Sequence, residues 1–277
     1  MQYVEVDIEL KKTVPFNEIL IALLNEIKFN SYHEHENGLK AYIEEIYFDL
    51  YLLKQTLKKL KEKVDLIYTV KKLENNNWNK NWEENFNPVF ITNNCIVRAK
   101  FHQKPNNIKY DIVITPKMSF GTGHHETTHQ MISHILNLEM KSKSVLDMGC
   151  GTGVLAILAA MKGADFITAI DIDEWAYLNT IENTLENKCG HIMVKHGGAE
   201  LLGNKSFDFV FANINLNILL NDMSAYANVM HSGSKIIFSG FYTSDIPLID
   251  KKAESLGMYS IGKTEKNKWA ALLYQMR

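Results

Sequence analysis

Residues 145–153 read Val-Leu-Asp-Met-Gly-Cys-Gly-Thr-Gly and carry the most legible chemistry in the chain. An apolar strand runs into an acid, Asp147. Gly149, Gly151 and Gly153 then alternate through a tight turn, and an apolar helical run from Val154 to Met161 follows. Glycine lets a backbone turn at positive φ and lets a ligand approach with no Cβ in the way. The N-terminus of the next helix offers free N–H groups and a positive dipole end. Such a turn cradles a nucleotide-like cofactor at the carboxyl ends of parallel strands. The plainer alternative is a glycine turn that only caps a helix.

Spacing distinguishes the cofactors. A dinucleotide fingerprint needs Gly-x-Gly-x-x-Gly. Read from Gly149, the third glycine falls on Val154; read from Gly151, it falls on Ala156. The Asp147-x-Gly-x-Gly-x-Gly order instead resembles motif I of the S-adenosylmethionine-dependent methyltransferases of Rossmann-like fold. A second apolar strand, Phe166 to Ile170, ends in Asp171-Ile172-Asp173. An acid at that strand tip suits the ribose hydroxyls of an adenosine cofactor.

A second constellation is Phe120-Gly121-Thr122-Gly123-His124-His125-Glu126-Thr127-Thr128-His129. Its last five residues match the zinc-hydrolase pattern HExxH. That pattern works when both histidines project from one helix face and the Glu activates a metal-bound water. Here glycine ends two residues before His125, so His125 is expected at or before a helix start. Two central β-branched threonines weaken a helix further, and no third ligand is placed nearby. No metal site is expected, and a zinc hydrolase stands as the remote alternative.

The residues Phe120-Gly121-Thr122-Gly123, His125, Thr127 and Thr128 resemble the signature Phe-Gly-Thr-Gly-x-His-x-Thr-Thr of the PrmA family. The run Trp78, Trp82, Phe86 and Pro88 is similar to the family's segment ahead of that signature. Ala212-Asn213-Ile214 resembles its Ala-Asn-Ile after the fourth strand of the cofactor domain. With motif I and Asp171-Ile172-Asp173, the resemblance spans roughly residues 78–240. It implies a protein-lysine N-methyltransferase that uses S-adenosyl-L-methionine. The implied substrate is large-subunit ribosomal protein L-eleven, through its lysines and its α-amine. A related methyltransferase with another protein or small-molecule substrate is the alternative.

The resemblance also implies roles for individual residues. Asn213 contributes to the acceptor pocket and touches the cofactor, although by its type alone it would also serve as a helix N-cap. Thr128 touches the cofactor. His125 and Thr127 border the active-site mouth. Gly149 lies at the cofactor's methionine end, Gly151 and Gly153 complete the binding turn, and Asp171 takes the ribose diol. Glu200 is either near the adenine or a solvated acid. The chain departs from the family pattern at Lys117, where glycine is usual, at Glu126, where proline is usual, and at Asn215, where leucine is common. Asn215 borders the acceptor side and so bears on substrate identity.

The elements that must position these groups follow from periodicity. Residues 2–10 alternate, with Val4, Val6, Ile8 and Leu10 on one face, as a half-buried strand does. Thr13 and Pro15 suit the start of a helix that carries an apolar stripe from Phe16 to Ile27. Asn37-Gly38 is a hairpin signal. An amphipathic helix from Leu50 to Lys63 and a strand from Leu66 to Val70 complete a βαββαβ order, a ferredoxin-like unit. This unit, residues 1–70, is expected to recognise substrate. Residues 71–92 have linker composition, with Trp78 and Trp82 expected to dock on a neighbouring domain. Residues 93–277 form the catalytic domain. There helices and strands alternate, which predicts a mostly parallel sheet covered on both faces. The last two strand candidates, Met258 to Lys263 and Trp269 to Tyr274, suggest an antiparallel hairpin at its edge. Together with the resemblance above, which implies a Rossmann-like methyltransferase domain, the expected fold class is α/β with a mostly parallel seven-stranded sheet, preceded by a small α+β domain.

Bulk properties agree. The 277 residues are 46% apolar, enough for full cores. Thirty Lys and Arg against 32 Asp and Glu give a net charge of −2, which argues against a protein built to grip nucleic acid. The first residues, Met1 to Asp7, show neither a basic region nor an apolar core, so no signal peptide is expected. No apolar run reaches a bilayer-spanning length. Cys95, Cys150 and Cys189 form neither a disulfide framework nor a zinc pattern. A reducing, cytoplasmic setting is expected.

Overall fold

The computed structural model describes residues 3–73 and 86–277. Trp78 and Trp82 lie outside the described residues. The chain divides into two compact units, with the boundary in sequence between Phe86 and Asn87.

The first unit runs β1 (Tyr3–Leu10), α1 (Phe16–Asn25), β2 (Ser31–His35), β3 (Gly38–Glu44), α2 (Leu50–Lys61) and β4 (Leu66–Leu73). Its four strands lie in the order β2-β3-β1-β4, every neighbour antiparallel, which is the ferredoxin-like arrangement. The alternation in β1 is realised: Val4, Val6, Ile8 and Leu10 are buried against Leu20 and Leu24 of α1 and Leu53, Leu57 and Leu60 of α2. Asp49 caps α2, accepting from the Tyr51 and Leu52 N–H groups at 2.8 and 3.2 Å.

Two local expectations need correction. Thr13 does not cap α1 with its side chain; its carbonyl accepts from Asn17 N–H at 2.8 Å. The hairpin turn falls one residue early, with His35 opposite Gly38, so that Glu36 and Asn37 form the loop. The reason is close packing in the sheet. A Cβ on Gly38 would stand 2.0 Å from the Ile8 carbonyl oxygen on β1, so glycine there serves strand approach rather than the turn. The strand β4 also continues to Leu73, past the boundary read at residue 70.

The second unit opens with a three-stranded sheet: β5 (Val89–Thr92), β6 (Cys95–Ala99) and β7 (Tyr110–Ile114). The strand β5 falls inside the range read as linker. Arg98 and Asp111 form a two-pronged ion pair in this sheet, at 2.6 and 2.9 Å. There follow α3 (Glu126–Leu136), β8 (Ser144–Met148), α4 (Val154–Met161), β9 (Phe166–Asp171), α5 (Glu174–Glu186) and β10 (Met193–His196). The chain continues through β11 (Phe207–Asn213), α6 (Leu216–Asn228), β12 (Met230–Tyr242), α7 (Ile246–Ser255), β13 (Met258–Lys266) and β14 (Trp269–Met276).

These seven strands, β8 to β14, form one sheet in the order β10-β9-β8-β11-β12-β14-β13. All pairs from β10 to β12 are parallel; β14 is antiparallel to both its neighbours. The expected final hairpin is present, but β14 inserts between β12 and β13 and leaves β13 at the edge. This brings Trp269, the first residue of β14, beside Tyr242 at the end of β12.

Strand order reverses between β8 and β11. Successive strands from β8 step one way to β10, and the chain then crosses back to β11 on the other side. A crevice opens at such a switch point, at the carboxyl ends of the strands. Helix α4 is apolar all round and mostly buried, and β8 is buried on both faces with Asp147 as its one buried acid, as suits a parallel-sheet centre. Among the described residues no helix is long and apolar enough to cross a membrane.

Candidate active site

Motif I folds as a turn from β8 into α4. Gly149, Gly151 and Gly153 all take positive φ, 66°, 57° and 77°. At Gly151 the requirement is double, because a Cβ there would stand 2.2 Å from the Phe120 carbonyl oxygen. Phe120 belongs to the second constellation, so the two motifs are clasped together. Thr152 N–H donates to Phe120 O at 2.8 Å, and Thr152 Oγ1 donates to Gly121 O at 2.7 Å. From the other side, Asn183 on α5 donates to Thr152 O at 2.8 Å, and its Oδ1 accepts from Thr115 N–H at 2.8 Å. The start of the signature loop is therefore tied to motif I, and Asn183 ties motif I to Thr115 just upstream.

A cavity of about 420 Å³ opens on this turn. Gly149 and Gly151 line it, with Asp171 at the end of β9 and Ile172 just after it, Gly197 and Gly198 after β10, and Asn213 at the end of β11. Gly153 does not line it; a Cβ there would meet Thr180 of α5 at 2.8 Å, which marks Gly153 as a packing glycine. Thr128 is buried beneath the site and faces Asn213, whose Nδ2 donates to Thr128 Oγ1 at 3.4 Å. A larger open depression, about 690 Å³, lies on the first unit among Glu9, Lys11, Lys61 and Asp65. It has no glycine turn, and its Lys11–Asp65 pair is exposed.

A second cavity, about 230 Å³, adjoins the first and shares Phe120, Asn213, Ile214 and Asn215 with it. Its other walls are His125, Thr127, Gly240 and Trp269. Aromatic rings run in series from Phe120, His125 and Trp269 on its wall to Tyr242 behind them. Phe120 lies 5.3 Å from His125, His125 lies 4.7 Å edge-on from Trp269, and Trp269 lies 4.2 Å from Tyr242. Trp269 and Tyr242 have no sequence motif around them; only the insertion of β14 places them here.

His125 stands at the N-cap of α3, with φ −72° and ψ 142°, and its Nδ1 accepts from Thr127 N–H at 3.3 Å. It therefore lies outside the helix that holds His129, and the two do not share a helix face as HExxH requires. Glu126 Oε1 accepts from Asn267 Nδ2 at 2.8 Å, a bond that lowers its pKa. No group of three His, Cys, Asp or Glu able to hold a metal occurs among the described residues.

Two asparagines exchange the roles that residue type alone allows. Asn215, not Asn213, caps α6, accepting from Ile218 N–H at 3.2 Å. Asn213 is the last residue of β11, and its buried Oδ1 has no hydrogen-bond partner among the described residues. A buried unpaired acceptor is costly unless a ligand completes it. Asn213 is shared by the two cavities.

The family described as Ribosomal protein L11 methyltransferase (PrmA) matches residues 6–277. The chain belongs to the PrmA family. A protein of Phocaeicola vulgatus named Ribosomal protein L11 methyltransferase is 48% identical over 264 residues, which cover 94% of each chain. One of that name from Porphyromonas gingivalis is 44% identical, over 93% of this chain and 90% of the relative. Among solved structures, a ribosomal protein L11 methylase from Lactobacillus delbrueckii subsp. bulgaricus superposes with a TM-score of 0.64. It is 23% identical and covers 69% of this chain and 99% of that one, a likeness of fold.

The PrmA family assignment makes the chain an S-adenosylmethionine-dependent methyltransferase. The site fits that cofactor. The first cavity follows the strand tips of a Rossmann-like sheet, Gly149 lines it without a side chain, and Asn213, which also lines it, has a buried Oδ1 with no partner among the described residues. Asp171 stands at the tip of β9. Its Oδ2 accepts from Gly151 N–H at 2.8 Å and its Oδ1 from Asp173 N–H at 3.0 Å. These bonds hold the carboxylate at the cavity wall, and a carboxylate has lone pairs left for a diol. Asp171→Ala is expected to weaken S-adenosylhomocysteine binding by about 1.5–3 kcal/mol, read by titration calorimetry. Unchanged affinity would remove Asp171 from the cofactor site.

Asp147, the acid that opens motif I, is buried. Its Oδ2 accepts from Ala156 N–H at 3.1 Å, while its Oδ1 has no partner among the described residues. Burial pushes its pKa up to about 7. An unfolded chain ionises aspartate near pH 4. Between these values the unfolded state binds fewer protons, so this group's contribution falls as pH rises from about 4 to about 7. Asp147→Asn removes that dependence. In cofactor-free protein its melting temperature should gain on wild type across that window and level off above it. The gain corresponds to an order of a few kcal/mol. A difference that does not vary with pH would show that Asp147 is ionised throughout.

Proposed function

We propose that the chain methylates amines of large-subunit ribosomal protein L11, its lysine side chains first and its α-amine as a second acceptor. The observation that carries this reading is Asn213, which lines both the cofactor cavity and the aromatic-walled cavity and has a buried Oδ1 with no hydrogen-bond partner among the described residues. The names of the relatives support the substrate.

When bound, S-adenosylmethionine supplies a methyl group on a sulfonium, which an amine displaces in line with loss of the thioether. The enzyme's task is to align the partners and exclude water. A lysine amine has a reference pKa near 10.4 and must shed a proton before it attacks. Entry into a poorly solvated cavity beside a cation favours the neutral amine, so no strong base is required. Asn213 Oδ1 accepts an N–H of that amine and turns its lone pair toward the methyl group. Thr128, through its contact with Asn213 Nδ2, fixes which way the carboxamide points. Phe120, His125 and Trp269 wall the aliphatic stem of the lysine. The N-terminal unit recognises the protein substrate.

The direct test is to incubate the enzyme with methyl-labelled cofactor and a whole ribosomal-protein extract. Label should appear on L11, and peptide mapping should place it on lysine Nζ and the N-terminal amine. Label on a different protein would overturn the substrate assignment.

A further inference from the structure

We propose that Asp222 accepts a hydrogen bond from the exocyclic amine of the cofactor's adenine and so selects adenine over a 6-keto purine. This rests on the S-adenosylmethionine assignment above. The cofactor cavity extends along the strand tips from β11 through β8 and β9 to β10. Asn213 and Gly149 mark the end where methyl transfer takes place. Asp171 stands at β9, where the ribose belongs. The base then occupies the stretch beyond, toward the glycines after β10.

That stretch suits a purine. Ile172 and Ile218 supply apolar walls, and Gly197 and Gly198 bring backbone close without side chains. Such a slot holds a flat ring but does not by itself tell one purine from another; discrimination needs a polar group at the ring edge. Besides Asp171, the acids Asp173 and Asp222 line the cavity, and Glu200 lies two residues past Gly198. Asp173 follows Asp171 on the ribose side, and its Oδ1 caps α5, accepting from Trp175 N–H at 2.8 Å. Glu200 folds back on its own loop, accepting from Gly198 N–H at 2.7 Å, and does not line the cavity.

Asp222 remains. It lies on α6 one turn past Ile218 and lines the cavity. Its Oδ1 accepts from Asn221 Nδ2 at 2.6 Å, while its Oδ2 has only a long contact, 3.5 Å, from the buried Tyr226 hydroxyl. A carboxylate oxygen with spare lone pairs is an acceptor only. It matches the N–H donors of adenine's amine and opposes the carbonyl oxygen of hypoxanthine.

The test uses the full chain and two product analogues, S-adenosylhomocysteine and S-inosylhomocysteine, titrated by calorimetry. Wild type should bind the adenine compound more tightly, by roughly tenfold or more. In Asp222→Asn the carboxamide can also donate, so the ratio should narrow to within about threefold, mainly through gained affinity for the inosine compound. In Asp222→Ala affinity for S-adenosylhomocysteine should fall and the discrimination should be lost. Equal wild-type affinity for the two compounds overturns the proposal without any variant. So does an unchanged ratio in Asp222→Asn, and since S-adenosylhomocysteine still binds in that case, the cofactor assignment survives. Wild type that binds neither compound overturns both.

Discussion

Asn213→Ala should lower kcat by about a hundredfold while leaving thermal stability nearly unchanged, because the side chain does its work only when ligands are present. The usual cost of removing a buried polar side chain is the loss of its bonds. Asn213 has little to lose in the free protein. Its Oδ1 has no partner among the described residues, and its Nδ2 makes a single long bond of 3.4 Å to Thr128. Truncation also removes an unpaired buried acceptor, which offsets the small void left behind. In the ternary complex the balance differs. There the carbonyl oxygen orders the attacking amine, and an amine free to rotate spends little time in line with the scissile bond. Asn213→Asp is an informative companion. It keeps the acceptor but leaves Thr128 facing an acceptor rather than a donor. Kinetics with L11 and a melting curve of the same preparation decide the matter. Normal turnover in a well-folded Asn213→Ala protein would remove Asn213 from the reaction.

The parts of the fold that are legible in the sequence are those whose signal is local. The alternation of β1, the glycine turn after Asp147 and the βαββαβ order each depend on residues a few positions apart. Both folds come out of these patterns, and the clasp between motif I and the Phe120–Gly123 run joins two stretches that are each recognisable alone. What is not legible depends on contacts between distant stretches. Trp269 reaches His125 because β14 inserts between β12 and β13 instead of simply closing a hairpin. Asp222 reaches the cofactor cavity because α6 runs along it. Gly38 is read as a turn glycine until the Ile8 backbone on the neighbouring strand is seen. The asparagine pair is a boundary problem. Asn213 and Asn215 are equally good caps by type, and the end of β11 decides which of them is left free for chemistry.

Removing the N-terminal unit, to leave residues 87–277, should abolish methylation of intact L11 while sparing S-adenosylhomocysteine affinity. Every residue lining the two candidate cavities lies at or beyond Met118. The first unit has its own apolar core, built from Val4, Val6 and Ile8 with Leu20, Leu24, Leu53 and Leu57. It does not need the catalytic unit to bury its strands. Binding energy from parts of a substrate remote from the reacting amine raises kcat/KM only if something holds those parts. A separate unit joined by a connecting segment can hold a protein and offer several of its amines in turn to one active site. The competing account is that residues 1–86 brace the catalytic unit. The two accounts diverge in what accompanies the loss. A brace, once removed, lowers melting temperature and cofactor affinity together with activity toward every acceptor. A recognition unit, once removed, leaves calorimetric affinity and the slow methylation of a short lysine peptide as they were. Only kcat/KM for L11 then falls, by about a hundredfold or more. A truncated enzyme that methylates L11 at the full rate would show that recognition resides in residues 87–277.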